Sequence, residues 1–189
     1  MLNRNEIFLR LVPLLLNTAT PKNIPDSVHC RLAAVLIIIH YNDDLPHILL
    51  IKRSSKITAH ANEVSFPGGS FDKADASLAD TAIRETKEEV GLHFQKSDLI
   101  GHLTVVRTLT SNFIIYPFVT LQDKTLIPNI LNEEVQDIID APLLETLQTM
   151  DKDYYYSSLE DLYKFTYRSE IIWGATARIL KQLHNCLMR

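Results

Sequence analysis

Three glutamates, Glu85, Glu88 and Glu89, stand at i, i+3 and i+4 just before Gly91, and a Gly68-Gly69 pair precedes them. On a helix the three carboxylates fall on one face. Leu78, Ala79, Ala82, Ile83, Thr86 and Val90 follow the three-four spacing and make the neighbouring core stripe. Ser77 or Asp75 can cap this helix, which runs to about Glu89, and Gly91 suits the residue that closes it. Like charges at such spacing cost roughly a few tenths of a kcal/mol per pair. The helix dipole adds a penalty for anions near the C-terminal end. Both penalties are relieved by a cation.

A hard divalent ion would supply that charge. Mg²⁺ takes oxygen ligands, is held by a few carboxylates plus water, and completes its shell with substrate phosphates. The plainer alternative is a solvated helix face, with Arg84 pairing Glu88 and Lys87 nearby. The upstream glycine pair and the adjacent Arg84-Glu85 favour the metal site over that alternative.

The rest of the chain reads as alternating strands and helices. Residues 3–17 look helical, and Thr20–Asp26, with Pro21 and Pro25, reads as a linker. This divides the chain into an N-terminal helix and linker, 1–26, and a main domain, 27–189. Ala33–His40 and Ile48–Arg53 read as a hairpin around Asn42–Asp44, and Ser65-Phe66 as a short extended piece broken by Pro67. Leu99–Thr108 and Phe113–Leu121 read as strands around a Thr110-Ser111-Asn112 turn. Asn132–Ile139 reads as a short helix, Leu162–Tyr167 as a strand and Gly174–Leu187 as a closing helix. Tyr154–Tyr156 fit either strand or pocket. Mixed strands with helices on both sides predict an α/β or α+β sandwich.

Composition bounds the function. A formal charge of -4 with 46% hydrophobic residues argues against a general polyanion binder, so no nucleic-acid partner is expected. No apolar run reaches the roughly 20 residues that span a bilayer. The two cysteines, Cys30 and Cys186, form no zinc-like pattern and read as free thiols of a reducing compartment. A cytoplasmic protein with no membrane partner is the expectation.

The segment from Gly69 to Leu92 resembles the Nudix box, usually Gly-x5-Glu-x7-Arg-Glu-(apolar)-x-Glu-Glu-x-Gly-(apolar). Gly69, Arg84, Glu85, Glu88, Glu89, Gly91 and Leu92 match. Asp75 replaces the first glutamate, Thr86 stands at an apolar position, and eight residues rather than seven precede Arg84. The acid with its longer spacer resembles the coenzyme A diphosphatase branch. The resemblance implies an α/β/α sandwich with a mixed β-sheet and a loop-helix-loop metal site. It implies that Glu85, Glu88 and Glu89, with the Gly69 carbonyl, hold Mg²⁺ or Mn²⁺, and that Arg84 orients the glutamates. Water would attack a diphosphate phosphorus, with Glu85 as first candidate for the base and Glu89 as second. The alternative role for Gly68-Gly69 is a turn needing positive φ, and both can hold.

Leu49-Leu50, Arg53-Ser54 and Phe66-Pro67-Gly68-Gly69 resemble the extended motif of the same branch, with Ile51, Thr58 and Asn62 replacing the expected Thr, Arg and Gly. Arg53 reads as a phosphate contact or as the solvated end of a strand. His60 is a substrate-contact candidate or a structural residue, and Lys56 a partial substitute for the arginine missing at 58. Glu134 is a metal or water contact, or a surface glutamate. Glu134-Val135, Ala141-Pro142-Leu143 and Trp173-Gly174-Ala175-Thr176-Ala177 continue the resemblance, with Trp173 expected to pack the last helix on the sheet. The implied reaction is hydrolysis of coenzyme A or acyl-CoA to a 4′-phosphopantetheine species and adenosine 3′,5′-bisphosphate. The alternatives are another nucleoside diphosphate derivative, such as ADP-ribose or NADH, and a non-catalytic nucleotide-sensing module. The sensing module predicts damaged metal ligands, yet all three glutamates are present. A homodimer is compatible with the resemblance, and no sequence feature demands one.

Overall fold

The strand β1, Arg31–Asn42, carries apolar side chains on both faces, which suits a strand at the centre of a layered fold. The computed structural model describes residues 2–16, 30–56, 60–154 and 162–188. Ala34, Leu36 and Ile38 face one core, and Ile37 and Ile39 face the other. β1 hairpins into β2, Leu45–Arg53, through Asp43 and Asp44, both at positive φ. Its other edge pairs in parallel with β7, Phe113–Leu121. The N-terminal part of β1 pairs instead with β4, Gly68–Ser70, while β2 continues to β3, Val64–Ser65, and to β8, Val135–Pro142. β5, Leu99–His102, and β6, Val106–Arg107, complete an eight-stranded mixed sheet on β7.

Helices cover both faces. Before the sheet, α1 spans Arg4–Leu11, and after β4 comes α2, Leu78–Val90. Further on lie α3, Leu143–Gln148, and α4, Gly174–Leu187. The face bearing Leu36 packs on α2 through Leu78, Ala79, Ala82 and Val90. The opposite face packs on the other three helices through Ile7, Leu11, Leu147, Ile179, Leu180 and Leu183. A separate three-stranded sheet joins β9, Asp151–Lys152, β10, Tyr163–Tyr167, and β11, Glu170–Ile172. A half-buried ion pair of 2.7 Å, Lys52 to Glu170, ties it to β2. This is the predicted α/β/α sandwich. No helix among the described residues is long and apolar enough to cross a membrane.

Several local expectations are corrected. The segment expected to be a helix over Asn132–Ile139 is mostly strand, because Val135, Ile138 and Ile139 find a partner in β2. Tertiary pairing overrode the local pattern. The N-terminal helix stops at Leu11 and gives way to a 3₁₀ turn at Val12–Leu14, where Pro13 supplies no N–H. Leu99–Thr108 is two strands, with a register shift at Gly101, whose φ is 146°. Trp173 precedes α4 at 37% exposure and lines a cavity. Leu180 and Leu183, both fully buried, belong to the core under that helix. The linker at 20–26, with the boundary drawn after it, and Thr58, Tyr155 and Tyr156 lie outside the described residues.

Gly68 sits at φ 150°, and a Cβ there would lie 2.3 Å from the Ala34 carbonyl oxygen. Gly68→Ala should therefore lower unfolding stability by about 2–4 kcal/mol in chemical denaturation. Gly91→Ala, at φ 69° and with its Cβ nearest the flexible end of Leu131 at 3.2 Å, should lose about 1 kcal/mol.

Candidate active site

Ser77 caps α2, its side chain accepting from the Asp80 amide, and Gly91 closes the helix at φ 69°. Of the two candidate caps, Asp75 has other work. Its oxygens accept from Arg84 Nε at 2.9 Å and Nη2 at 3.0 Å, a two-pronged pair across the loop. The Arg84 hydrogen bonds, helped by the Thr81 hydroxyl, hold the Asp75 carboxyl down at about 2 against its burial. Arg84 Nη1 donates to Glu85 at 2.8 Å and to Glu88 at 3.2 Å, and Nη2 to the Ser70 carbonyl at 3.5 Å. One guanidinium thus spans the loop and two of the three glutamates, and these contacts raise its own pKa.

The glycine turn and the acidic helix interlock. The Gly68 amide donates to Glu89 Oε2 at 2.9 Å. A Cβ on Gly69 would stand 2.5 Å from Glu85 Cδ, so only a glycine admits that carboxyl. Glu89 is 2% exposed. Burial pushes its carboxyl up to about 8, against the opposing pull of the Gly68 amide and Arg53, with Glu85 and Glu134 adding to the rise. Burial also raises Glu85.

Arg53, at the end of β2, faces these acids: its Nη1 lies 3.8 Å from Glu89 and its Nη2 3.3 Å from Glu134. Its Nε is buried with no partner. Glu134 is largely exposed, and its backbone carbonyl accepts from the Ser54 amide at 2.8 Å. His60 holds Glu63 through Nδ1, at 3.1 Å to each carboxylate oxygen. Arg53, His60, Glu63 and Gly69 line a cavity of about 310 Å³ on the α4 side of the sheet. Phe113, Ile115 and Trp173 give it an apolar wall. Glu63, Trp173 and the Asp75–Arg84 pair were not picked out as site features from the sequence. Glu63, three residues after His60, carried a local signal.

The candidate site residues therefore fall into two joined groups. Arg84, Glu85, Glu88, Glu89 and Gly69 gather at β4 and along α2; Arg53 joins them to Glu134 and shares the cavity with His60. Among the described residues no three acidic side chains meet as a ready-made metal cage, since Glu85 and Glu88 are drawn onto Arg84. The donor set is nonetheless all oxygen, and burial raises both the buried Glu89 carboxyl and the half-buried Glu85, which a divalent cation such as Mg²⁺ or Mn²⁺ would relieve.

A helix-covered mixed sheet, with a glycine turn seated against an acidic helix, defines the class as an α/β/α sandwich carrying an acidic loop-helix site. The Nudix domain profile matches residues 31–162. The chain is 35% identical over 167 residues to the uncharacterized Nudix hydrolase NudL of Photorhabdus laumondii, covering 86% of this chain and 87% of that protein. Against NudL of Yersinia enterocolitica the identity is 34% over 163 residues, with 83% and 82% covered. A MutT/nudix family protein from Enterococcus faecalis superposes with a TM-score of 0.62 at 17% identity, over 88% of this chain and 65% of that one. The Nudix domain of Shewanella oneidensis NrtR, complexed with ADP-ribose, gives 0.54 at 22% identity, over 69% and 82%. These two structures speak for the fold alone. The chain belongs to the Nudix hydrolase family. It is a Nudix diphosphatase, a hydrolase acting on a phosphorus-containing anhydride.

The raised Glu89 carboxyl has a consequence for stability. Its folded pKa of about 8 exceeds the unfolded carboxylate value, so the folded state holds the extra proton between roughly pH 4 and 8. Stability from this group is present at low pH and lost as pH rises through 8. In chelator-treated protein, Glu89→Gln should melt several degrees above wild type at pH 8.5, and the gap should close towards pH 5. Scanning calorimetry across that range checks the sign.

Proposed function

We propose that this enzyme hydrolyses the diphosphate of coenzyme A or an acyl-CoA, giving a 4′-phosphopantetheine species and adenosine 3′,5′-bisphosphate. The observation carrying the reading is the acid-lined glycine turn opening on a cavity that begins at Gly69 and Arg53. Glu85, Glu88, Glu89 and the Gly69 carbonyl, with Glu134, would hold Mg²⁺ or Mn²⁺. When bound, the ion lowers the pKa of water and neutralises charge on the diphosphate oxygens.

The chain's own groups do the rest. Arg84 keeps Glu85 and Glu88 aimed at one place and is locked by Asp75, so it positions rather than touches substrate. Glu85, whose carboxyl lies against Gly69, takes the proton from the attacking water. Glu89 is tied by the Gly68 amide, which leaves it the second choice for that step. Arg53 offers its guanidinium to a phosphate, and His60, held by Glu63, lines the same cavity. We assign the enzyme to the cytoplasm on the ground that neither Cys30 nor Cys186 forms a disulfide.

Two departures from the coenzyme A motif carry little weight against this reading. Ile51 is fully buried between the strands β2 joins, far from any role in a pocket wall. Asn62 takes φ 61°, a left-handed conformation that glycine favours and Asn tolerates. The competing reading, ADP-ribose or NADH as substrate, rests mainly on Thr58.

Product analysis with Mg²⁺ or Mn²⁺ on coenzyme A, ADP-ribose and NADH in parallel tests the proposal. Adenosine 3′,5′-bisphosphate should appear fastest, from coenzyme A. Glu85→Gln and Glu89→Gln should each lower kcat by about 10²–10⁴-fold. Faster cleavage of ADP-ribose or NADH would sink the substrate reading and leave the chemistry standing.

A further inference from the structure

The cavity has a second flank. β2 and β7 lie on opposite sides of β1, so Arg53 stands on one flank and the turn before β7, residues 108–112, on the other. Three arginines collect around that turn. Arg178, on the second turn of α4, lines the cavity and donates through Nη1 to the Arg107 carbonyl at 2.5 Å. Arg31, at the start of β1, stacks 4.1 Å over the Phe113 ring and donates to the Ser111 carbonyl at 3.3 Å. Arg107 itself sits opposite Ile114 in the sheet.

Among the described residues none of these three guanidinium groups is paired with a carboxylate within 4 Å; Arg31 and Arg178 are fixed only by backbone carbonyls and a ring face. That contrasts with Arg53 and Arg84, each held between acids. The cavity's own carboxylates, Glu63 and Asp153, both have partners. An uncompensated cluster in a chain of net charge -4 is a local feature, not general basicity. Ser111, on the same turn, lines the cavity, and its Oγ is buried with no partner. A Cβ at Gly174 would meet nothing within 4 Å, so space is open beside the first turn of α4.

We infer that Arg178, Arg31 and the Ser111 hydroxyl form a subsite for a second phosphate, a phosphomonoester carried by the substrate apart from its diphosphate. The inference rests on the proposed reading that the cavity takes the nucleotide part of the substrate. A dianionic phosphomonoester satisfies the guanidinium donors and the orphan hydroxyl together, whereas a bare ribose would leave the charge unmatched. Coenzyme A carries such a group; ADP-ribose and NADH do not. The phosphate-reading charge that Thr58 does not supply would then come from the flank beside β7.

The test is calorimetric binding of adenosine 3′,5′-bisphosphate and of AMP, with Mg²⁺ present, to wild type, Arg178→Gln, Arg31→Gln and Ser111→Ala. Wild type should bind the bisphosphate about 10- to 100-fold more tightly than AMP. Either arginine variant should bring that ratio towards one, and Ser111→Ala should reduce it less. Melting curves check folding; should Arg178→Gln unfold, Arg31→Gln, at an exposed strand start, carries the test. Equal binding of the two probes by wild type, or an unchanged ratio in every folded arginine variant, overturns the subsite. Hydrolysis assays separate the two ideas. If coenzyme A is left intact while the binding ratio collapses in the variants, the substrate reading fails and the subsite stands.

Discussion

The seating of Gly68 against β1 is the contact on which the site depends. With no side chain between them, the turn lies flat on Ala34 and Val35, which brings the Gly68 amide to Glu89 and Gly69 to Glu85. α2 is held to the sheet by its apolar stripe, so the acids arrive at the turn as a matter of helical phase. Neither half would place the carboxylates alone. The backbone supplies the close approach and the helix supplies the charge.

Arg84 organises that charge. Its two bonds to Asp75 fix the loop ahead of the helix, while a third nitrogen reaches Glu85 and Glu88. Such a partly shielded fork is stronger and more directional than an exposed surface pair. The extra residue between Asp75 and Arg84, relative to the common family spacing, is accommodated by loop, because helix begins only at Leu78.

The acidic half of this arrangement was legible in the sequence because it is local: thirteen helical residues and a glycine turn carry their own spacing. The hairpin of β1 and β2 was legible for the same reason, from apolar runs flanking Asn42–Asp44. What escaped depends on distant partners. Val135–Pro142 is a strand only because β2 offers an edge, and its polar start reads as helix in isolation. Trp173 was expected under a helix and instead sits half-open at a cavity wall. Glu63 and Arg178 come from segments far apart in the chain, and no local spacing announces that they share a cavity.

The parallel pairing of β1 with β7 bears on how the enzyme comes to be active. These strands are separated by the whole of the glycine turn, α2 and β5, so closing them encloses a long loop of chain before any contact repays the entropy. The hairpin of β1 with β2 needs no such closure and can form early. The cavity, with one flank on β2 and the other beside β7, exists only after the slow pairing is complete. Catalytic competence is thus a late event in folding, and a chain with its acidic helix already formed is still without a place to hold a nucleotide.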